Sequence, residues 1–220
     1  ERYSDCYIKP VLMPILYGGV SDIPGFDDIH LDGYNEIVVT DSAHCVTPTI
    51  KSDFTFFSFH PYKPICASDG GMISTEDNDA AAYFKNYRNF GRENIDSSYN
   101  IVQEGFKFYM NNLNATIALT QIGHYYNRLK QRKSNFKILE GKSRKMSTNS
   151  YLTRQDKHSS YYFATLIQDT GREVRDTHNL SLHYPLLHKT KYFQSNIKLP
   201  NSESLQPQIV NIPLYRELAL

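Results

Sequence analysis

The chain has 220 residues, 40% of them hydrophobic, with 24 lysines and arginines against 23 aspartates and glutamates. That length can bury a real core in one domain or two small ones, and the near-cancelled charge leaves no whole-chain field to draw in nucleic acid or an anionic membrane. No apolar run approaches the roughly 20 residues of a membrane span, and Cys6, Cys45 and Cys66, lacking metal-site spacing, fit a reducing cytoplasm better than a disulfide framework.

In chain order, Pro10 to Leu16 reads as a buried strand closed by Gly18-Gly19, and SDIPGFDDI as loop with a short helical piece. EIVVTDSAH is a strand from Glu36 whose polar tip begins at Asp41. DFTFFSF, Asp53 to Phe59, is apolar nearly throughout, as expected of a strand covered on both faces of an α/β sheet. GGMIST is a further short strand, and DNDAAAYFKNYRNFG a helix ending at Gly91. Ala115, Ala118, Ile122, Tyr125 and Leu129 recur at helical spacing from a cap at Asn112, with LKQRKSNFK as a polar continuation. Lys142 to His158 is basic and poor in apolar residues and reads as a linker. Beyond it, SYYFATLIQ and LSLHYPLL read as strands of a smaller α+β domain, which sets expected domains at 1–141 and 142–220.

Ligands in open α/β sheets collect outside the carboxyl ends of the strands. Two strands here end in chemistry: one delivers Asp41 and His44, the other Ser58, His60 and Lys63. An amine that can condense with an aldehyde, together with a carboxylate that can keep a pyridine nitrogen protonated, is the pair a pyridoxal phosphate site needs. Alone, each residue has a plainer reading. An aspartate after a strand often forms a turn, Ser58 can be a small strand residue, and His44 and His60 can be buried structural histidines. His183 and His188 lack the spacing of a metal site, and no metal is expected.

Five blocks in order, DSAH, FSFHPYK with DGGM, RNFG, GFKFYM and HYPLLH, make the chain resemble the DegT/DnrJ/EryC1/StrS aminotransferases of the fold-type I superfamily. The resemblance implies a mostly parallel sheet flanked by helices, a smaller carboxy-terminal domain, and pyridoxal 5'-phosphate as cofactor. It implies that Lys63 holds the cofactor and shuttles a proton, Asp41 pairs with the ring nitrogen, His44 lies beside the ring, and Ser58 binds the phosphate. Lys107 stands where the family commonly has asparagine, at a position that reaches the phosphate of the neighbouring subunit's cofactor in a homodimer, and His183 of HYPLLH falls on the substrate side. The implied reaction moves an amino group from an amino acid such as glutamate to a nucleotide-linked keto sugar, in the cytoplasm, with neither nucleic acid nor membrane as partner. A catalytically silent or incomplete relative is the alternative.

Two departures from the family add expectations. The family's long region ahead of the first strand, which supplies a glycine-rich phosphate turn, has no counterpart here, so this chain alone is expected to bind the cofactor weakly or not at all. QDTGREVRDTHN is expected to be too short for a helical crossover, since a parallel connection needs about a dozen residues, and the small domain is expected to be abbreviated.

Overall fold

The computed structural model describes residues 9–14, 36–46, 52–93, 99–145, 150–153, 155, 159–180, 182, 184–193 and 195–215. The chain divides into two compact units, Glu1–Tyr125 and Tyr126–Leu220.

The first unit is organised by a four-stranded sheet of order β1 (Lys9–Pro14), β2 (Glu36–Asp41), β3 (Phe54–Ser58), β4 (Gly71–Ser74). Stiff β-branched side chains at Ile37, Val38, Val39 and Thr40 favour the extended backbone of β2. β1, β2 and β3 run parallel, with Pro14 opposite Asp41 and Asp41 opposite Phe56, and β4 returns antiparallel from Gly71, opposite Ser58. Of the first expected strand, residues 15 and 16 lie outside the described residues, as does the whole of SDIPGFDDI.

Burial on the sheet corrects the reading of DFTFFSF. Thr55 is buried, but Phe56 is 39% exposed and every residue of β4 is exposed. Apolar side chains on both faces of β3 therefore do not mean cover on both faces. One face carries the ring of Phe84, set edge-on to Phe54 at 5.8 Å from helix α1 (Asn78–Tyr87).

α1 begins where Asp77 Oδ1 accepts the amide protons of Asp79 and Ala80, which satisfies two donors that the first turn leaves open. It ends at Tyr87, so Gly91 is not its terminal glycine. Gly91 has φ +71°, and a β-carbon there would overlap the carbonyl oxygen of Gln103. The glycine serves instead to let RNFG lie flat against GFKFYM. Phe106 N donates to Tyr87 O at 2.7 Å, Phe108 N to Arg88 O at 2.9 Å and Phe90 N to Phe106 O at 3.1 Å, and Asn89 bridges to Lys107. The short ribbon β5 (Arg92–Glu93) and β6 (Asn100–Ile101) continues the same strip.

Helix α2 (Asn112–Ser143) starts one residue later than its cap. The cap is Asn111, whose Oδ1 accepts from Asn114 N at 2.9 Å, and not Asn112 as the sequence suggests. Ala118 and Tyr125 are buried as the spacing requires, while Ile122 is 47% exposed. The division between units falls inside this helix rather than after residue 141. After Tyr125 the helix turns Leu129, Phe136 and Leu139 into a core completed by Tyr161, Ala164, Leu152, Ile212 and Leu214, and that packing assigns its second half to the second unit.

The second unit is an antiparallel sheet of order β7 (Ser150–Leu152), β8 (Phe163–Gln168), β9 (Ile209–Pro213). β8 is buried along its whole length. Two expectations fail here. QDTGREVRDTHN does hold a helix, α3 (Gly171–His178). The chain does not rejoin the sheet directly after this stretch: the next strand among the described residues is β9, which pairs antiparallel with β8, so the connection is long enough to hold α3 and further turns. Buried Arg175 ties α3 down by donating to the carbonyls of Pro207 and Ile209. LSLHYPLL, read as a strand, holds none among its described residues. Leu186 is extended and leads into a 3-10 turn at Leu187–Lys189. The stretch read as a linker contains β7.

Candidate active site

β2 brings Asp41 to its carboxyl end, and the parallel register sets it across from Phe56, two residues before Ser58 closes β3. Asp41 does serve the turn: its Oδ1 accepts from Ala43 N at 3.0 Å, and Ser42 N donates to Phe56 O at 2.8 Å. His44 follows, 4% exposed.

The segment after β3 closes on itself. Phe59 N donates to Gly70 O, Ala67 N to Phe59 O and Lys63 N to His60 O, each at 2.9 Å. Ser58 Oγ accepts from His60 N at 3.3 Å, which still leaves the hydroxyl a proton to donate. Pro64, Ile65 and Ala67 are buried and anchor the loop from beneath. Its far end rests on the start of α2. Asn114 Nδ2 donates to Asp69 O at 3.4 Å, and Gly70, at φ +111°, has the methyl of Met110 where a β-carbon would stand. DGGM and GFKFYM are thus neighbours, a relation that their spacing along the chain does not disclose.

Lys63 is partly buried within this loop. Burial pushes its ammonium below the ordinary lysine range, and the Asp41 carboxylate pulls the other way without offsetting it. Two conclusions follow. Asp41 lies within electrostatic reach of Lys63, so the two strand ends share one site; and desolvation wins, so more of the amine is neutral and nucleophilic near neutral pH. A half-buried amine of lowered basicity, a carboxylate within its electrostatic reach and a hydroxyl at the adjoining strand end are the donor set that pyridoxal phosphate requires, and these residues fit it.

Lys107 is exposed on the strip beside RNFG, its Nζ 5.9 Å from the centre of the Tyr109 ring. His183 lies outside the described residues. The histidine that ends HYPLLH, His188, makes a structural contact: Nε2 stands 2.9 Å from Glu203 Oε1, while Lys189 Nζ lies 3.2 Å from Oε2 and Leu199 N donates to Oε1 at 3.0 Å. Glu203 belongs to helix α4 (Pro200–Leu205). The Leu199 amide, with His188 and Lys189 behind it, lowers the Glu203 carboxyl to about 2. A carboxyl depressed on folding contributes stability above its unfolded pKa and loses it as the pH falls through the folded value. The amides of Lys189 and Thr190 should therefore lose hydrogen-exchange protection, relative to intrinsic rates, as the pH drops from about 4.5 towards 2. Glu203→Gln should show the weaker protection already at neutral pH; unchanged protection in that variant would discard the clamp.

A mostly parallel sheet with Asp41 at the end of one strand and Lys63 in the loop after the next has the architecture of the fold-type I pyridoxal-phosphate transferases. The chain belongs to the DegT/DnrJ/EryC1/StrS aminotransferase family, whose sequence profile matches residues 7–220. It is 22% identical to an uncharacterized protein of Methanocaldococcus jannaschii, over 84% of this chain and 56% of that protein. It is 32% identical to the GDP-perosamine synthase of Caulobacter vibrioides over 50% of this chain and 32% of that enzyme. Among solved structures, Helicobacter pylori PseC, an aminotransferase involved in the biosynthesis of pseudoaminic acid, superposes with TM-score 0.78 at 16% identity, covering 95% of this chain and 62% of that one. The PLP form of a putative sugar aminotransferase from Streptococcus pneumoniae gives 0.74 at 20% identity, covering 96% and 64%. The chain spans little more than half the length of the first of these curated relatives and about a third of the second.

Proposed function

We propose that this chain carries the lysine-bearing site of an aminotransferase that moves an amino group from an amino acid such as glutamate to a keto sugar held on a nucleotide, in the cytoplasm. The observation that carries the proposal is the placement of Lys63, partly buried in the closed loop after β3, within electrostatic reach of Asp41 at the end of the neighbouring parallel strand β2. When bound, pyridoxal phosphate supplies an aldehyde that takes up an amino group and a ring that accepts electrons. Lys63 Nζ supplies the amine that holds the cofactor and then takes up and returns a proton at the substrate carbon. The carboxylate of Asp41 holds a proton on the ring nitrogen, and its hydrogen bond from Ala43 N fixes its direction. His44, which is buried, would border the ring, and Ser58 Oγ would donate to the phosphate. Lys107, exposed, neutralises phosphate charge on a second copy of the chain in a homodimer, and His183 contacts the sugar substrate.

The test is titration of the purified chain with pyridoxal phosphate, followed by borohydride reduction, peptide mapping, and assay with glutamate and nucleotide-linked keto sugars. Because this chain alone is expected to bind weakly, the cofactor is supplied in large excess; reduction should then fix it on Lys63, and amino transfer should follow. Fixation on another lysine overturns the site. Fixation on Lys63 with no transfer to any keto sugar nucleotide overturns the activity of this chain and leaves a catalytically silent or incomplete relative.

A further inference from the structure

The near-neutral whole conceals two opposed halves. Residues 126–220, the second unit, carry 16 lysines and arginines against 7 aspartates and glutamates, whereas the first unit carries 8 against 16. Half of the second unit's cations, 8 of them, lie between Arg128 and Lys145 with a single acid, Glu140. This stretch is the second half of α2 and the turn that ends it.

Helical geometry sorts those cations. The face built on Tyr125, Leu129, Arg132, Phe136 and Leu139 packs inward, with Tyr125, Arg132 and Phe136 each under a tenth exposed. At 3.6 residues per turn, Lys130, Lys133, Lys137 and Arg144 fall within a sector of about 60° on the flank of the helix, roughly 110° round from that face. All four are exposed, and Tyr126, 67% exposed, lies in the same sector. Arg144 is partly offset by Glu140 at 3.9 Å, but among the described residues no acid stands within ion-pair distance of the three lysines. They form one straight line about 10 Å long.

We propose that this lysine line seats the second unit on an anionic lipid surface. A single straight row of cations on a convex helix matches a plane of charge. A duplex groove would instead demand cations on both flanks and forked or amide side chains to reach base edges. Lysine is a compact point charge on a flexible stem, suited to a field of headgroups, and an exposed tyrosine is suited to the headgroup level. The helix's apolar face is already used in the core, so attachment is electrostatic, reversible and salt-sensitive, without insertion. The inference is independent of the proposed amino transfer.

The test is co-sedimentation of the whole chain with vesicles of phosphatidylcholine containing phosphatidylserine, against phosphatidylcholine alone. Each lysine near such a surface is worth about fivefold in affinity, so Lys130→Gln/Lys133→Gln/Lys137→Gln should lower binding about a hundredfold. Molar salt, which shortens the Debye length to about 3 Å, should release the unmodified chain. Arg172→Gln/Lys191→Gln/Lys198→Gln removes equal charge from exposed positions of the same unit off the line, and should retain most of the binding. Circular dichroism confirms that both variants are folded. No preference for the anionic vesicles, an equal loss in the two triple variants, or tighter retention on a DNA duplex at the same salt would each overturn the proposal.

Discussion

Lys63→Ala is expected to leave a folded protein that fixes no cofactor under borohydride and transfers no amino group. The side chain is only partly buried and is not part of the apolar core, so its removal opens no large cavity and the melting temperature should change little. Burial already holds the ammonium at a cost, and the alanine variant is relieved of it. Chemically the loss is double. The amine that holds the cofactor is gone, and so is the group that moves the proton, a role worth about 10²–10⁴ in rate by itself. Absorbance of the titrated protein, mass of the reduced protein and amino transfer should fail together. A variant that still incorporates one reduced cofactor per chain would move the site to another lysine.

Asp41→Asn is expected to separate binding from turnover. The amide keeps the shape and can keep accepting from Ala43 N, so the turn after β2 survives. What disappears is the negative charge. Without it, the ring nitrogen is no longer held protonated and proton abstraction should slow by orders of magnitude, while the cofactor still attaches. The same substitution removes the pull of Asp41 that raises the basicity of Lys63, so the lysine should titrate lower still. The pH dependence of Lys63 acylation, read peptide by peptide in the cofactor-free chain, measures this directly. A profile that moves upward or stays in place would separate the two residues.

Local features were legible in the sequence where they depend on near neighbours. The β-branched run of β2, the alanines of α1 and the cluster FSFHPYK announce strand, helix and lysine loop without help from the rest of the chain. The pairing of elements was not legible. Nothing in QDTGREVRDTHN says that the segment after it forms no strand among its described residues and that the chain rejoins the sheet only at Ile209, which is what leaves room for α3. LSLHYPLL imitates a strand, yet it runs into the 3-10 turn at Leu187–Lys189. RNFG and GFKFYM look like separate signals until Phe106 and Phe108 are seen bonded to Tyr87 and Arg88. The opposed charges of the two halves could be counted by anyone, but they stand out only when the chain is divided at Tyr125 and not after residue 141.

The closure of the lysine loop bears on the clock of the reaction. Phe59 is bonded to both Gly70 and Ala67, two prolines restrict the backbone torsions on either side of Tyr62 and Lys63, and Ile65 and Ala67 are only 3% and 0% exposed. The backbone at Lys63 is therefore a fixed mount, and the mobile part is its four-carbon stem. Such a stem changes rotamer in picoseconds to nanoseconds, whereas a loop needs nanoseconds to microseconds and a lid longer still. The amine can leave one bonding position and take up another without waiting for any segment of main chain to open, so the proposed amino transfer should be limited by chemistry or by release and not by the arrival of its lysine.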